Sequence, residues 1–202
     1  MDTNTNGTNT KKKTALISVY DKNGIIDFAY ELIALGYDII GSRGTAKTLK
    51  DAGVRGVIKD VAEFVGEPIL GHRVVTLSRE VHAALLSRDT GEDNAELKKI
   101  GIPRIDLVYV NLYPLKETID AGENYEEVIE KTDIGGPTML RSAAKGGRIV
   151  ISCVEDREKV IAWLREGEPD GVNFRRWLAG KAELTVSEYC RISAIYLLSQ
   201  KN

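Results

Sequence analysis

The alternation along this chain of short β-branched runs with amphipathic stretches predicts an α/β protein built on a central, mainly parallel sheet. Two further features support that class. The run Ile105-Asp106-Leu107-Val108-Tyr109-Val110-Asn111-Leu112 is nearly continuous apolar, as a strand buried on both faces must be, and the chain opens with strand, helix, strand, helix, strand in succession.

Thr14 to Tyr20 reads as a buried strand, with Asp21 placed to cap the next helix. Ile25, Phe28, Ala29, Leu32 and Ile33 then share one face of that helix, which ends at Gly36. Tyr37-Asp38-Ile39-Ile40 reads as the second strand, Thr45 to Ala52 as a helix closed by Gly53, and Val54 to Ile58 as the third strand. A helix and loop are expected between Val61 and Leu70, and Glu80 to Arg88 and Ala95 to Ile100 read as helical. Arg148 to Val154 reads as a further strand. Asp156 to Arg165 and Val186 to Leu198 read as outer helices, with loops at Gly122 and at Gly167 to Gly171. The carboxylates Glu123, Glu126, Glu127 and Glu130 read as a solvated helix face.

A length of 202 residues with 43% hydrophobic side chains leaves room for one domain with a sizeable core. Residues 1–13 read as a polar, disordered tail in which Lys11-Lys12-Lys13 is a solvated charge run, and residues 14–202 as the folded domain. A net charge of -2 gives no general basic face for nucleic acid or anionic lipid. The start has no signal-peptide core and no run approaches a membrane span, so a cytoplasmic protein is expected. Cys153 and Cys190 are too few and too far apart for a disulfide framework or a zinc site, and His72 and His82, the two histidines, leave little material for a metal site or a triad.

Chemistry-bearing residues collect where strands end, the place at which open α/β sheets bind ligands. Ser18, Lys22, Asn23 and Gly24 follow the first strand, and Gly41-Ser42-Arg43-Gly44-Thr45 follows the second. Hydroxyls, a lysine and glycine-exposed amides thus form a candidate phosphate pocket, the alternative being an ordinary helix cap and turn in each loop. The spacing is neither a Walker loop nor a dinucleotide fingerprint. The densest grouping is Thr132-Asp133-Ile134-Gly135-Gly136-Pro137-Thr138-Met139-Leu140-Arg141-Ser142-Ala143-Ala144-Lys145. An acid stands before two glycines, where backbone approaches a ligand closely, and Arg141 and Lys145 are four apart on one helix face.

Together with Asn111-Leu112-Tyr113-Pro114, that segment resembles the IMP cyclohydrolase domain of the bifunctional purine biosynthesis protein, and the resemblance extends from Leu16 to about Leu198. Ser18-Val19-Tyr20-Asp21-Lys22-Asn23-Gly24 is similar to the family's opening loop, Ser42-Arg43-Gly44-Thr45 to its phosphate loop, and Glu92-Asp93-Asn94 to its mid-chain acidic turn. The resemblance implies a methylglyoxal-synthase-like three-layer sandwich with a central, mainly parallel sheet. It implies closure of 5-formamidoimidazole-4-carboxamide ribotide to IMP with loss of water, without a cofactor or metal. On the same ground Lys145 is expected to donate to the formyl oxygen, Asp133 to accept the carboxamide proton or hold the nucleophile, and Tyr113 to donate a hydrogen bond or relay a proton. Asn111 is expected to orient the substrate, and Ser18, Lys22, Ser42, Arg43, Gly44, Thr45, Arg73, Thr76, Gly135 and Gly136 to bind it. The alternatives are half-buried packing for Tyr113 and a helix C-terminal charge for Lys145. Partners expected on this reading are the ribotide and IMP, a second copy of the chain, and, if 202 residues is the natural length, a separate formyltransferase.

The chain departs from the family pattern in Gly71-His72-Arg73-Val74-Val75-Thr76-Leu77-Ser78-Arg79. Arg73 and the later His82 keep family identity, but Val75 stands where the family has a site lysine, and Ser78-Arg79 where it has His-Pro. Arg43 replaces a glycine, Tyr20 a small hydroxyl residue, and Gly146 an asparagine. Either another cation takes over the missing charge, or turnover is lost and a non-catalytic nucleotide-binding domain remains. A methylglyoxal synthase would need its own acid and histidine set, which the sequence does not present.

Overall fold

Runs of β-branched residues with no polar face are stable only inside a sheet covered on both sides, and that is how the computed structural model, which describes residues 12–200, arranges them. The strands are β1 (Lys13–Val19), β2 (Tyr37–Gly41), β3 (Ile58–Asp60), β4 (Leu107–Asn111) and β5 (Ile149–Ile151). They lie in the order β3-β2-β1-β4-β5 with every neighbouring pair parallel. After β1 the chain builds outward to β2 and β3, then returns to place β4 on β1's other side. The topological switch point therefore falls between the carboxyl ends of β1 and β4, where Val19 pairs with Asn111.

Ten helices complete the described chain: α1 (Ile25–Ala34), α2 (Arg43–Asp51), α3 (Ala62–Val65), α4 (Arg79–Leu86), α5 (Gly91–Ile100), α6 (Leu115–Asp120), α7 (Tyr125–Glu130), α8 (Gly135–Lys145), α9 (Asp156–Arg165) and α10 (Gly171–Ser199). Because successive strand residues face opposite sides, β1 feeds two cores. Ala15 and Ile17 pack with Phe28, Leu32, Leu49 and Trp163 on one face, while Leu16 packs with Val81, Leu85, Val108 and Leu140 on the other. Each fully buried Leu or Ile contributes about 2 kcal/mol from apolar area removed from water. Two cores around one sheet make the expected three-layer α/β sandwich.

Several boundaries differ from the sequence reading. Lys13 opens β1 and pairs with Glu168 at 2.6 Å, so the fold begins one residue inside the expected tail, the rest of which, up to Lys11, lies outside the described residues. Asp21 does not cap α1: its carboxylate accepts from Asn23 N–H at 2.9 Å, and Gly24 precedes the helix. The third strand is Ile58–Asp60 and not Val54 to Ile58, because Val54 closes α2, its N–H donating to Leu49 O at 3.1 Å and its side chain entering the core. Helix α2 starts at Arg43, two residues before the expected Thr45. Helix α5 starts at Gly91, capped by Thr90, so Glu92-Asp93-Asn94 is a first helical turn. Helix α4 (79–86) matches the expected helix within two residues, and β5 is shorter than expected.

The largest difference is α10, which runs 29 residues, about 43 Å, where only Val186 to Leu198 was expected. Phe174, Leu178, Ala182, Val186 and Tyr189 recur at helical spacing and carry the helix through Gly180. Lys181 anchors it, its ammonium bound to the buried Asp156 at the start of α9.

Gly146, where the family has asparagine, sits against α4: a Cβ there would meet Leu85 O at 2.0 Å. Gly146→Ala is expected to destabilise the protein by about 1–3 kcal/mol through overpacking. Urea denaturation with an unchanged m-value and a lowered midpoint checks it.

Candidate active site

Five parallel strands present their carboxyl ends on one edge, where loop backbone groups must find partners. Asn111, at the end of β4, meets that need for the loop after β1. Its Oδ1 accepts from the N–H groups of Tyr20 and, at 3.2 Å, Asp21, while its Nδ2 donates to Asp21 O at 3.2 Å. Both ends of the amide are thus engaged with the chain, and Asn111 positions the loop. Lys22 is similarly engaged, its half-buried ammonium donating to Val19 O and, at 3.3 Å, Tyr20 O. Burial lowers its pKa, with Asp21 opposing. Ser18, half-buried on the α4 and α8 face, keeps its hydroxyl without a hydrogen-bond partner among the described residues.

At the start of α2 the four predicted residues divide. Thr45 is fully buried, its hydroxyl accepting from Val19 N–H at 3.3 Å and from the Ser42 hydroxyl at 3.2 Å. It thereby locks α2 to β1. Arg43 is turned away to Glu67 at 2.6 Å and Asp60 at 3.5 Å, and the Glu67 hydrogen bond raises its pKa further. Its guanidinium is therefore already paired. Toward solvent there remains the first turn of the helix, with Gly44 exposed and the intrahelical ladder beginning only at Ala46 N–H to Ser42 O, 2.8 Å. The N–H groups of Arg43, Gly44 and Thr45 are the unpaired donors such a helix start supplies to an anion.

The start of α8 is built around Asp133. Its carboxylate accepts from Gly136 N–H at 2.8 Å, and the N–H groups of Gly135 and Tyr113 also stabilise its charge. Burial nonetheless raises its pKa above the ordinary aspartate value. The glycines are required by close approach: a Cβ on Gly136 would lie 2.5 Å from Asp133 Oδ2, and one on Gly135 would lie 2.6 Å from Thr76 Oγ1. Thr76, Gly135, Gly136 and Asp133 are thus brought together as expected. Beside them Tyr113 presents a phenol with no hydrogen-bond partner among the described residues, its ring edge-on to Tyr20 at 5.4 Å. Burial, then the charge of Asp133, raises its pKa and keeps it a neutral donor.

Tyr189, which no motif indicated, completes the group from α10. Its hydroxyl accepts from Asp133 N–H at 2.7 Å and donates to Lys131 O at 3.2 Å. At 56 residues' distance, no local spacing signals it.

Lys145 stands at the other end of α8, on a cavity that Asp133 also lines. It is the last residue of α8, about 15 Å along the helix from Gly135, at the edge where β5 begins. It lies exposed on the rim of a largely apolar cavity of about 690 Å³ between α8 and α10, where it complements the helix dipole. Arg141, one turn earlier, pairs with Glu183 at 3.1 Å. Arg73 is exposed, donating from Nε to Leu70 O at 3.0 Å. Val75 packs against the core below the mouth, Ser78 caps α4 by accepting from Val81 N–H at 3.1 Å, and His82 meets Ser142 Oγ at 2.8 Å inside the α4 and α8 contact.

The mouth therefore offers a helix start with unpaired N–H groups, a partly desolvated carboxylate and a free phenol, a combination that can move a proton beside an anionic group. A parallel α/β sandwich with these features at its switch point is an MGS-like domain: the model of that family matches residues 24–138, and the chain belongs to it. It is similar to the bifunctional purine biosynthesis protein PurH of Persephonella marina, 44% identical over 84% of this chain and 33% of that protein. The PurH of Oenococcus oeni is also 44% identical, over 94% and 38%. The chain thus spans about a third of the length of these curated relatives. A solved structure titled "Crystal structure of ForH" superimposes with a TM-score of 0.75 at 36% identity, covering 91% of this chain and 98% of that one. The resemblance drawn from the motifs is borne out by these relatives.

Tyr189→Phe leaves Asp133 N–H without its acceptor and is expected to cost about 1–3 kcal/mol. Thermal denaturation of the variant beside the parent checks it.

Proposed function

We propose that this chain is an IMP cyclohydrolase acting in purine biosynthesis, closing 5-formamidoimidazole-4-carboxamide ribotide to IMP. The carboxamide nitrogen attacks the formyl carbon, a carbon–nitrogen bond forms, and the formyl oxygen leaves as water. No oxidant, reductant or cofactor enters that balance. The observation that carries the reading is the placement of the Asp133 carboxylate near the unbonded phenol of Tyr113 at the switch point, in a chain similar to PurH. In this reading Asp133 accepts the carboxamide proton, since burial has raised its proton affinity, and Tyr113 donates to the formyl oxygen as charge develops there. The unpaired amides at the start of α2, with Ser18 nearby, take the ribotide phosphate, and Thr76 and the Gly135-Gly136 backbone line the ring.

The formyl group arrives with the substrate, so a formyl-transferring activity acts before this one. As part of the same proposal the chain works in the cytoplasm as a dimer and binds neither nucleic acid nor membrane. Exposed Leu184 and Ile195 on α10 support the dimer, and among the described residues no helix is long and apolar enough to cross a membrane. A second reading, a nucleotide-binding domain without turnover, is favoured by Val75, which gives the core a side chain where the family supplies a cation.

The purified chain is given the formylated ribotide, with absorbance following ring closure and mass identifying IMP. Product supports the cyclohydrolase; ribotide binding without product selects the second reading. In the active protein Asp133→Asn is expected to lower kcat by about 100-fold or more and Tyr113→Phe by about tenfold, as loss of a proton-transfer or oxyanion partner does. Lys145→Ala should stay within about twofold, on its distance along the helix. Because the carboxylate is the working form and its pKa is raised, kcat/KM should fall on the acid side at a pH above the ordinary aspartate value. An acid limb at or below that value counts against Asp133 as the base.

A further inference from the structure

The opposite edge of the sheet, where the strands begin, holds polar groups that ring closure does not use. β1 and β2 start there with Lys13 and Tyr37, β4 and β5 are entered there through Asp106 and Arg148, and the start of α10 covers the opening. Between them lies a cavity of about 530 Å³. It is about 20 Å from the candidate active site, the length of β1.

The cavity is strongly positive in a chain of net charge -2. Lys13, Arg104, Arg148, Arg175 and Arg176 line it against two carboxylates, Asp106 and Glu168. Arg104 pairs with Asp89 at 3.2 Å and Asp106 at 3.8 Å, and the rest of the charge is incompletely balanced. Lys13 and Arg175 share the single carboxylate of Glu168. Arg148 is 2% exposed, yet its guanidinium donates only to neutral oxygens, Leu85 O at 2.7 Å, Ala84 O at 3.4 Å, Ser87 Oγ at 3.1 Å and Ser87 O. No carboxylate forms an ion pair with it among the described residues, and burial followed by the nearby charge of Arg104, opposed by Asp106 and Asp89, lowers its pKa to about 10. Arg176 is exposed and has no ion-pair partner among the described residues.

A second, independent observation points to a ligand. Tyr37 is 2% exposed and lines the same cavity, and its hydroxyl has no hydrogen-bond partner among the described residues. A buried hydroxyl without a partner is rare, because desolvation is then uncompensated. Burial, then Glu168 and Asp106, holds the phenol pKa far above neutrality, so Tyr37 is a donor awaiting an acceptor.

We propose that this cavity is a second anion site, which takes the phosphate of a small phosphate monoester, with Tyr37 and Arg176 donating to its oxygens in the field of the buried Arg148. A phosphate dianion fits the excess of positive charge and the fork geometry of guanidinium groups. The wall completed by Ile149, Val172 and Ala179 gives the organic part of the ligand an apolar surface. The volume lies in the range of small-molecule sites, and the negative net charge of the chain disfavours an extended polyanion.

The test uses the isotopically labelled full chain, titrated with ribose 5-phosphate and separately with inorganic phosphate while amide resonances are followed. The amides of Thr14, Tyr37 and Ile149 report the edge where strands begin, and those of Gly44 and Thr45 the other. Both groups are expected to shift, ribose 5-phosphate binding the former edge more tightly than phosphate. Tyr37→Phe and Arg176→Ala should each weaken binding at that edge by about tenfold or more, the effect of one charge-assisted hydrogen bond, and leave the other edge unchanged. Neither substitution removes a core contact: one deletes only the unpaired hydroxyl and the other an exposed side chain. No shift at Thr14, Tyr37 and Ile149, or shifts that both variants leave intact, overturns the proposal.

Discussion

The structure rests on how the carboxyl ends of parallel strands find partners for their backbone. Where such strands stop, the ladder stops with them, and the N–H and C=O groups of the following loops face a half-buried edge. Three side chains supply the missing partners, Thr45 to Val19, Asn111 to Tyr20 and Asp21, and Asp133 to the first turn of α8. Each closes a loop that separately would be open to solvent, and each stands in a motif that carries the family resemblance. These groups hold the mouth in shape, while the phenol of Tyr113, the hydroxyl of Ser18 and the amides opening α2 have no partner among the described residues.

The departures from the family pattern have physical accounts of different kinds. Gly146 lies close against the carbonyl of Leu85, which a Cβ there would meet at 2.0 Å. Arg43 does not enter the mouth because Glu67 and Asp60 pair with it outside. Val75 has joined the apolar cluster under the mouth, so the change removes a charge and adds packing. Lys22 stands nearby as a cation, but its ammonium is spent on the Val19 and Tyr20 carbonyls.

The two edges of the sheet contrast in their electrostatics. The carboxyl edge relies on backbone amides and one desolvated carboxylate, while the opposite edge concentrates guanidinium groups around a buried arginine that only carbonyls and a hydroxyl solvate. A chain with near-balanced composition carries both, since composition records the sum of the charges and not their placement.

Hydrophobic patterning by itself determined the α/β class, the parallel sheet and the central strands, because a period of two or a continuous apolar run is a local property that burial reads directly. The ends of elements were less legible: Val54 looked like a strand residue because it is β-branched, whereas it closes α2. The Asp133, Gly135, Gly136 group was visible in the sequence because one loop carries it, and Tyr113 because a short motif does. Tertiary structure decided the rest. It set Lys145 at the far end of α8 from Gly135, since a straight helix carries its two ends apart, and it bonded Asn111 and Thr45 to the loops. It added Tyr189 and assembled the basic cavity from residues between 13 and 176, side chains that meet only because parallel strands begin, as they end, at a common edge.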